Sequence, residues 1–518
     1  MKNFFSLILT LAAFYSASAQ QPLRIGRIQN VSDYSSLSSN GKSLKMASDI
    51  TKTAPLPGTG SPKVPVILVQ FSDLKFSVAD TDDGVVANYQ QFFNAGEGVQ
   101  PGQSGYESVC SVKEYFRQQS DGQFTPEFTV IGPVTLSQSY KYYGDNGSRG
   151  DGGDIHISSF YSEACKLAVR DFAVDWEDFD NRKNGKVSFV FFIYAGEGEN
   201  VSEDTYTIWP KESASSLTVK YDDKTVVFGS YGCTSELLFE GQDGIGPTIH
   251  ELGHGLGFPD FYDTTYRSFG MDFWSIMDSG SYIMLDTYPL CMSAYERDFM
   301  GWCDLIELDP DQAYTLTLDP ISEGGKGYKL PNKANSNEYL ILENRQNRGL
   351  DIYMPNITYD YYTQYGNSHG LLVTHVDYNR SSWTSNSVNT SPTHQRMTIV
   401  PADKELISNC LGYTDEWALS LHGDLYPGPD NVTEITSYAA FTGGSFTFTV
   451  DNIRETTDGK ILVDINGGVP SCIDSPQAES STYTEIYSAD GRRLSSLQRG
   501  LNIVKTATGE IQKIFRSK

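Results

Sequence analysis

Two apolar runs dominate the first half of the chain, VPVILVQF from Val64 and VSFVFFIY from Val187. Continuous β-prone runs of this length read as strands buried on both faces. The second leads into AGEGE, a Gly-containing turn. Between them SVKEYFRQQSDGQF reads as a helix that stops near Asp121-Gly122. Strands mixed with helices predict an α+β unit over residues 61–306. From Ala313 the pattern changes to short alternating segments, YTLTL, EYLILEN, GLLVTHVDY, RMTIVPAD, SFTFTV and KILVDIN, separated by Gly, Pro, Asn and Asp. That texture predicts an all-β, sandwich-like domain over 307–468.

The two ends read differently. MKNFFSLILTLAAFYSASAQQ has one Lys, an apolar run from Phe4 to Tyr15 and then Ala17-Ser18-Ala19, the pattern of a secretory signal peptide over 1–19. The run is shorter than the ~20 residues a bilayer needs, and no later stretch is long and apolar enough to span. A secreted or cell-surface location is expected. Residues 20–60, rich in Ser, Thr, Gly and Pro, read as a pro-segment or leader that covers the cleft. No cysteine precedes Cys110, so such a leader would present a carboxylate, Asp33 or Asp49, and not a thiolate. Residues 476–518 read as a small C-terminal β tail with turns at Asp490-Gly491 and Thr508-Gly509. From Asp490 onward the tail carries seven Lys or Arg against two acidic residues.

Composition narrows the function. Of 518 residues, 39% are hydrophobic and 20% charged, which suits a globular protein. The formal charge of −26 would repel phosphate backbones and anionic lipid, so a nucleic-acid partner is not expected. Seven widely spaced cysteines contain no CxxC pair to suggest a thiolate zinc site; export permits disulfides, but the odd count does not demand them, and most read as buried residues. Oligomeric state is not encoded in any pattern found.

The chemistry concentrates in GPTIHELGHGLGFPDFYD, Gly246 to Asp263. His250 and His254 are four apart and stack on one helix face, so both imidazoles reach one cation, with Glu251 beside it. A zinc site that keeps an open position needs a third protein ligand. Gly257 can take the left-handed conformation that ends the helix, after which Asp260 arrives where the chain has doubled back; Asp263 is the reserve, otherwise a turn residue. Glu251 is then the general base. Gly253, Gly255 and Gly257 make a poor helix by propensity, which implies close backbone approach or a turn.

HELGHGLGFPD resembles the HExxHxxGxxD form of the metzincin motif, and FYD together with WSIMDSGSY resembles the immune inhibitor A type of secreted bacterial metallopeptidase. The resemblance continues through SVKEYFRQQSDGQF, VFFIYAGEGE, IWP, SAYERDFMGW, EYLILENRQ, GLLVTHVDYN and GDLYPGP, most of residues 63–430. It implies a metzincin-like zinc peptidase domain acting on protein or glycoprotein substrates, with Met277 as the methionine turn under the metal. Tyr282, just after that turn, is a candidate donor to the oxyanion. Two departures matter. Where the family often carries an aspartate-rich Ca2+ loop, this chain has DNRKNG with Asp180, Arg182, Asn184 and Gly185, and the arginine argues against Ca2+ there. Asp80, Asp82 and Asp83 before Gly84 offer another candidate Ca2+ site, though they read more readily as an acidic surface turn. Lys211 follows IWP where relatives usually carry His. The tail is similar to the sorting tails of exported Bacteroidetes proteins.

His375 and Asp377 share a strand face, but no GxSxG elbow accompanies them and they read as structural residues of the β domain. Phe299 and Trp302 read as core anchors of the helix after the site. The rival function is a non-catalytic surface protein that binds carbohydrate or protein on the retained peptidase fold. Intact His250, Glu251, His254 and Asp260 speak against it.

Overall fold

The two apolar runs lie side by side as Lys63–Gln70 and Val187–Glu197, paired in parallel at the centre of a seven-stranded sheet. Glu127–Thr135 flanks the first and Lys224–Leu238 the second, both parallel, and the short strand Lys211–Ser213 closes one edge antiparallel. Nearly every residue of the two central strands is buried, as expected for strands covered on both faces. The expected helix is Val112–Gln119, capped by Ser111, whose hydroxyl accepts the Glu114 N–H at 3.1 Å. The computed structural model describes residues 47–150, 152–354, 368–409, 414–468 and four short strands between 485 and 516. The signal peptide, the leader as far as residue 46, the side chain of Asp49, Cys410 and Cys472 lie outside the described residues. No helix among the described residues is long and apolar enough to cross a membrane.

Residues 47–60, read from sequence as part of the leader, are built into the body of the fold. After the helix Ala47–Thr53, Leu56 donates its N–H to the Gly255 carbonyl at 2.9 Å, and Trp302 Nε1 donates to the Gly58 carbonyl at 2.6 Å. Arg182 explains its own presence in DNRKNG: its guanidinium donates to the carbonyls of Thr51, Ala54, Pro55 and Leu56. Asp180 meanwhile accepts the N–H groups of Asn184 and Gly185 at 2.9 and 2.7 Å, so the loop is closed by its own backbone. Asp82 and Asp83 open the helix Asp82–Asn94, where carboxylates favour the positive end of the helix dipole.

Downstream, Ile306–Glu307, Tyr328–Asn332, Asn335–Arg345, Gly370–Asp377 and Met397–Ile399 form a five-stranded sheet. Tyr314–Leu318, Val450–Glu455 and Ile461–Ile465 form a three-stranded one. Leu330, Leu340, Leu342, Leu371 and Val373 of the first share a core with Leu316, Leu318, Val450, Ile461 and Val463 of the second. The opposite face of the larger sheet, through Ile341, Leu372 and Val376, joins the core that contains the central strands and Leu252. One expected strand fails. In SFTFTV only Gly444–Ser445 and the start of Val450–Glu455 pair, although Phe446, Phe448 and Val450 are all buried. Alternate burial came from aromatic packing of Phe446 on Tyr438, His375 and Phe448 without a ladder of backbone bonds. The described residues up to Gly468 form one compact unit and the described residues after it another. In the latter Glu485–Ser488, Arg493–Leu494, Gly500–Lys505 and Ile511–Arg516 make an antiparallel sheet in which the first strand lies between the second and the third, so the strand order is not that of a simple meander.

Candidate metal centre

The helix Ile245–Leu256 is apolar almost all round and buried on nearly every side, so its backbone must fit what surrounds it. A Cβ on Gly246 would stand 1.9 Å from the Ser281 carbonyl oxygen, one on Gly253 2.5 Å from Met277 Sδ, and one on Gly255 3.1 Å from the Phe189 ring. Each glycine therefore marks a place where helix backbone meets a neighbour directly. Gly257, at φ +101°, ends the helix in the left-handed conformation, its N–H returning to the carbonyls of Gly253 and His254.

That reversal brings Asp260 under the helix. Asp260 Oδ1 stands 3.1 Å from His250 Nε2 and 3.1 Å from His254 Nε2, and the three donor atoms lie within 4.8 Å of one another. They are the one His/Cys/Asp/Glu cluster among the described residues with metal-ligand geometry. Both rings are fixed from behind: His250 Nδ1 bonds the Ile276 carbonyl at 2.8 Å and His254 Nδ1 bonds the Phe258 carbonyl at 2.9 Å. Donating Nδ1–H to a carbonyl leaves the Nε2 lone pair for a metal. Met277, expected from the sequence as a methionine turn, lies beside the same helix. Met277 is wholly buried against Gly253, its carbonyl accepts the Phe261 N–H at 2.8 Å, and its neighbour Ile276 holds His250.

Glu251 is 6% exposed and its Oε2 has no hydrogen-bond partner. Burial raises its carboxyl above the ordinary range, against the lowering pull of His250 and His254. A buried, unpartnered carboxylate oxygen beside three converging donors fits a site whose remaining positions are filled by a cation and water. Asp263 is used up locally, accepting the Thr265 N–H and hydroxyl, the Arg267 N–H and the Ser268 hydroxyl, as a turn residue would. Tyr282 is 39% exposed at the end of the short helix Ser279–Ser281, close enough to Tyr262 to interact with it electrostatically. Lys211 turns to Asp154 and the Gly152 carbonyl. His375 bonds Glu338 at 3.0 Å, and Asp377 pairs with His394 and Arg396; neither joins the metal cluster.

Two residues near the site escaped the sequence. Glu212 lies on the edge strand next to the metal helix, and burial pushes its carboxyl up to about 7 with His254 pulling the other way. Asn386, more than a hundred residues downstream, bonds Asp260 twice. Neither carries a motif; only the spacing Asn386-x-x-Asn389 in a Ser-rich loop hints that side-chain amides organise that segment.

In the absence of metal His254 is raised to about 10: burial disfavours the charge, but the Asp260 carboxylate and its hydrogen bond outweigh that cost. At neutral pH the metal-free protein therefore carries a proton on His254 that a cation must expel. Zinc binding at pH 7.5 is expected to release about one proton, and affinity to fall about tenfold per unit as pH drops. Titration calorimetry in buffers of different ionisation enthalpy checks this; heats independent of buffer would contradict it.

Residues 53–302 match the family described as immune inhibitor A peptidase M6, catalytic domain. Immune inhibitor A of Bacillus thuringiensis subsp. alesti is 27% identical over 290 residues, covering 48% of this chain and 41% of that protein. Pre-pro-metalloprotease PrtV of Vibrio cholerae serotype O1 (strain M66-2) is 25% identical over 239 residues, 41% of this chain and 26% of that protein. The chain thus spans less than half the length of these curated relatives. The match and the relatives together support a metallopeptidase, and the matched span contains His250, Glu251, His254, Asp260 and Met277.

Proposed function

We propose that this chain is an exported zinc endopeptidase that hydrolyses peptide bonds of extracellular proteins or glycoproteins. The observation that carries the reading is the convergence of His250 Nε2, His254 Nε2 and Asp260 Oδ1 beside the unpartnered Oε2 of buried Glu251. Two imidazoles and one carboxylate are a zinc donor set that leaves a position open. Zinc held by His250, His254 and Asp260 would supply Lewis acidity there, making water more acidic and polarising a carbonyl oxygen.

The chain's own residues do the rest. Glu251 takes the proton of the attacking water and returns it to the leaving amine nitrogen, which a carboxyl raised by burial does more readily than an ordinary one. His250 and His254 are held in the right tautomer by carbonyls, and the Tyr282 phenol, exposed toward solvent, is the group we assign to hydrogen-bond the developing oxyanion. Phe189 of the mixed sheet packs against the metal helix, and the metzincin-like reading rests on that helix, the Gly257 reversal and Met277.

The test is reconstitution. Purified protein should cleave an unfolded protein substrate, lose that activity to a chelator and regain it with stoichiometric zinc. A zinc-loaded protein that cleaves nothing yet binds carbohydrate or protein would favour the rival, a binding protein on a peptidase fold.

A further inference from the structure

The third metal ligand is held from outside the segment that carries the motif. Asn386 Oδ1 accepts the Asp260 N–H at 2.7 Å, and Asn386 Nδ2 donates to Asp260 Oδ2 at 2.6 Å. The two bonds fix both the backbone of Asp260 and the oxygen that does not face the histidines, so the carboxylate cannot rotate about its χ angles without breaking one of them. Asn386 follows the short helix Arg380–Thr384, itself capped by Asn379, and sits at φ +51°, a left-handed conformation that asparagine tolerates better than most residues. Its neighbourhood is anchored independently. Asn389 Nδ2 donates to the carbonyls of Phe261 and Met397, both at 2.7 Å, and its Oδ1 accepts the N–H groups of Arg396 and Met397. Arg267 Nη2 donates to the Thr390 carbonyl at 2.6 Å. Trp383 is buried against Phe261 and Tyr295.

We infer that Asn386 is a positioning residue of the metal centre, orienting Asp260 as the third ligand, so that the metal site is completed by the region downstream of the peptidase-family match. This rests on the reading of His250, His254 and Asp260 as metal ligands. The physical reason is that carboxylates are flexible, and a bound cation competes with Oδ1 rotation. An amide donor on Oδ2 leaves Oδ1 as the free donor atom, while the accepted N–H holds the loop at the depth where the helix reversal puts it. Groups that orient metal ligands are typically worth 10- to 100-fold in affinity or activity.

Asn386→Gly is the informative variant, because glycine accepts the left-handed backbone and only the side chain is removed. In the full chain, zinc affinity measured by chelator competition should fall 10- to 100-fold. The absorption spectrum of the cobalt-substituted protein should change in band position or intensity, a readout of ligand geometry that does not depend on turnover. Thermal unfolding of the metal-free form should remain a single cooperative transition, shifted down only as far as the loss of two hydrogen bonds requires. Asn386→Asp serves as the second variant: it keeps the shape and the acceptor for the Asp260 N–H but faces Oδ2 with an oxygen, so the cobalt spectrum should change here as well. In an Asp260→Ala background the effect of Asn386→Gly on zinc affinity should vanish, as expected of two groups acting as one.

Unchanged zinc affinity and an unchanged cobalt spectrum in a folded Asn386 variant would overturn the inference while leaving Asp260 as a ligand. Full zinc binding by Asp260→Ala alone would overturn the ligand assignment beneath it. A chain that fails to fold with either substitution would make Asn386 a residue of the fold and count against the inference.

Discussion

Glu251→Gln is expected to hold its zinc and lose proteolysis by about 10²- to 10⁴-fold, the usual worth of a positioned general base. The donor atoms that converge belong to His250, His254 and Asp260, and Glu251 is not among them, so the change leaves the metal set intact. Glutamine has nearly the same shape but no lone pair basic enough to accept a proton from water. Stability should not suffer, since a buried carboxylate with an unpartnered oxygen is exchanged for a neutral amide. Zinc content by elemental analysis, initial rates on an unfolded protein and a thermal melt make the comparison complete. Near-parental turnover would remove Glu251 from the mechanism.

The contrast between what local sequence carried and what it did not has a physical basis. The histidines, Glu251 and the Gly257 reversal are consequences of helical spacing and glycine conformation, which act over a few residues. Asp260 could be placed from the same reversal, while the bonds of Asp263 to the Thr265 and Ser268 hydroxyls became visible only in the fold. The glycines of the helix announced close approach, but what they approach, the Ser281 carbonyl, Met277 Sδ and the Phe189 ring, is set by tertiary packing. Arg182 showed only that an oxygen ligand was missing from DNRKNG; its bonds to carbonyls 51 to 56 span more than 120 residues and could not be read locally. The reading of residues 20–60 as leader rested on low apolar periodicity, which could not show that Ile50, Ala54 and Leu56 within that span are buried. SFTFTV had the period of a strand because alternate residues are buried, and burial without backbone pairing produces the same pattern. Asn386 lies beyond any motif because a side-chain amide that bonds a distant backbone leaves no spacing rule behind.

Residues 47–306 expressed alone should not give a soluble, zinc-loaded enzyme. The segment around the methionine turn is held largely from downstream. Trp274 Nε1 donates to Asp424 at 2.6 Å, Trp417 Nε1 donates to Asp272 at 2.9 Å, and Asn409 donates to the Ser279 hydroxyl at 2.8 Å. The chain after the turn is gripped as well. Glu343 accepts the Ala294 N–H and Asp351 the Cys291 N–H, while the wholly buried Arg345, which lies between those two carboxylates, donates to the Cys291 carbonyl. Asp272 shows the consequence of losing a partner: burial already pushes its carboxyl up to about 6, with the Trp417 indole N–H pulling it back. Each hydrogen bond to a charged group contributes about 1.5–3 kcal/mol, so a handful of them approaches the about 5–15 kcal/mol by which a domain is stable at all. Truncation also bares the apolar surface that Phe261, Phe273 and Tyr295 turn toward Trp383 and Trp417, at ~25 cal/mol per Å² of area returned to water. Expression of 47–306 beside 47–468, with solubility, bound zinc and proteolysis measured on both, is the comparison to make. Aggregated or metal-free 47–306 next to an active 47–468 is the expected result, and a soluble, zinc-loaded, active 47–306 would show that the downstream sheets are an independent module.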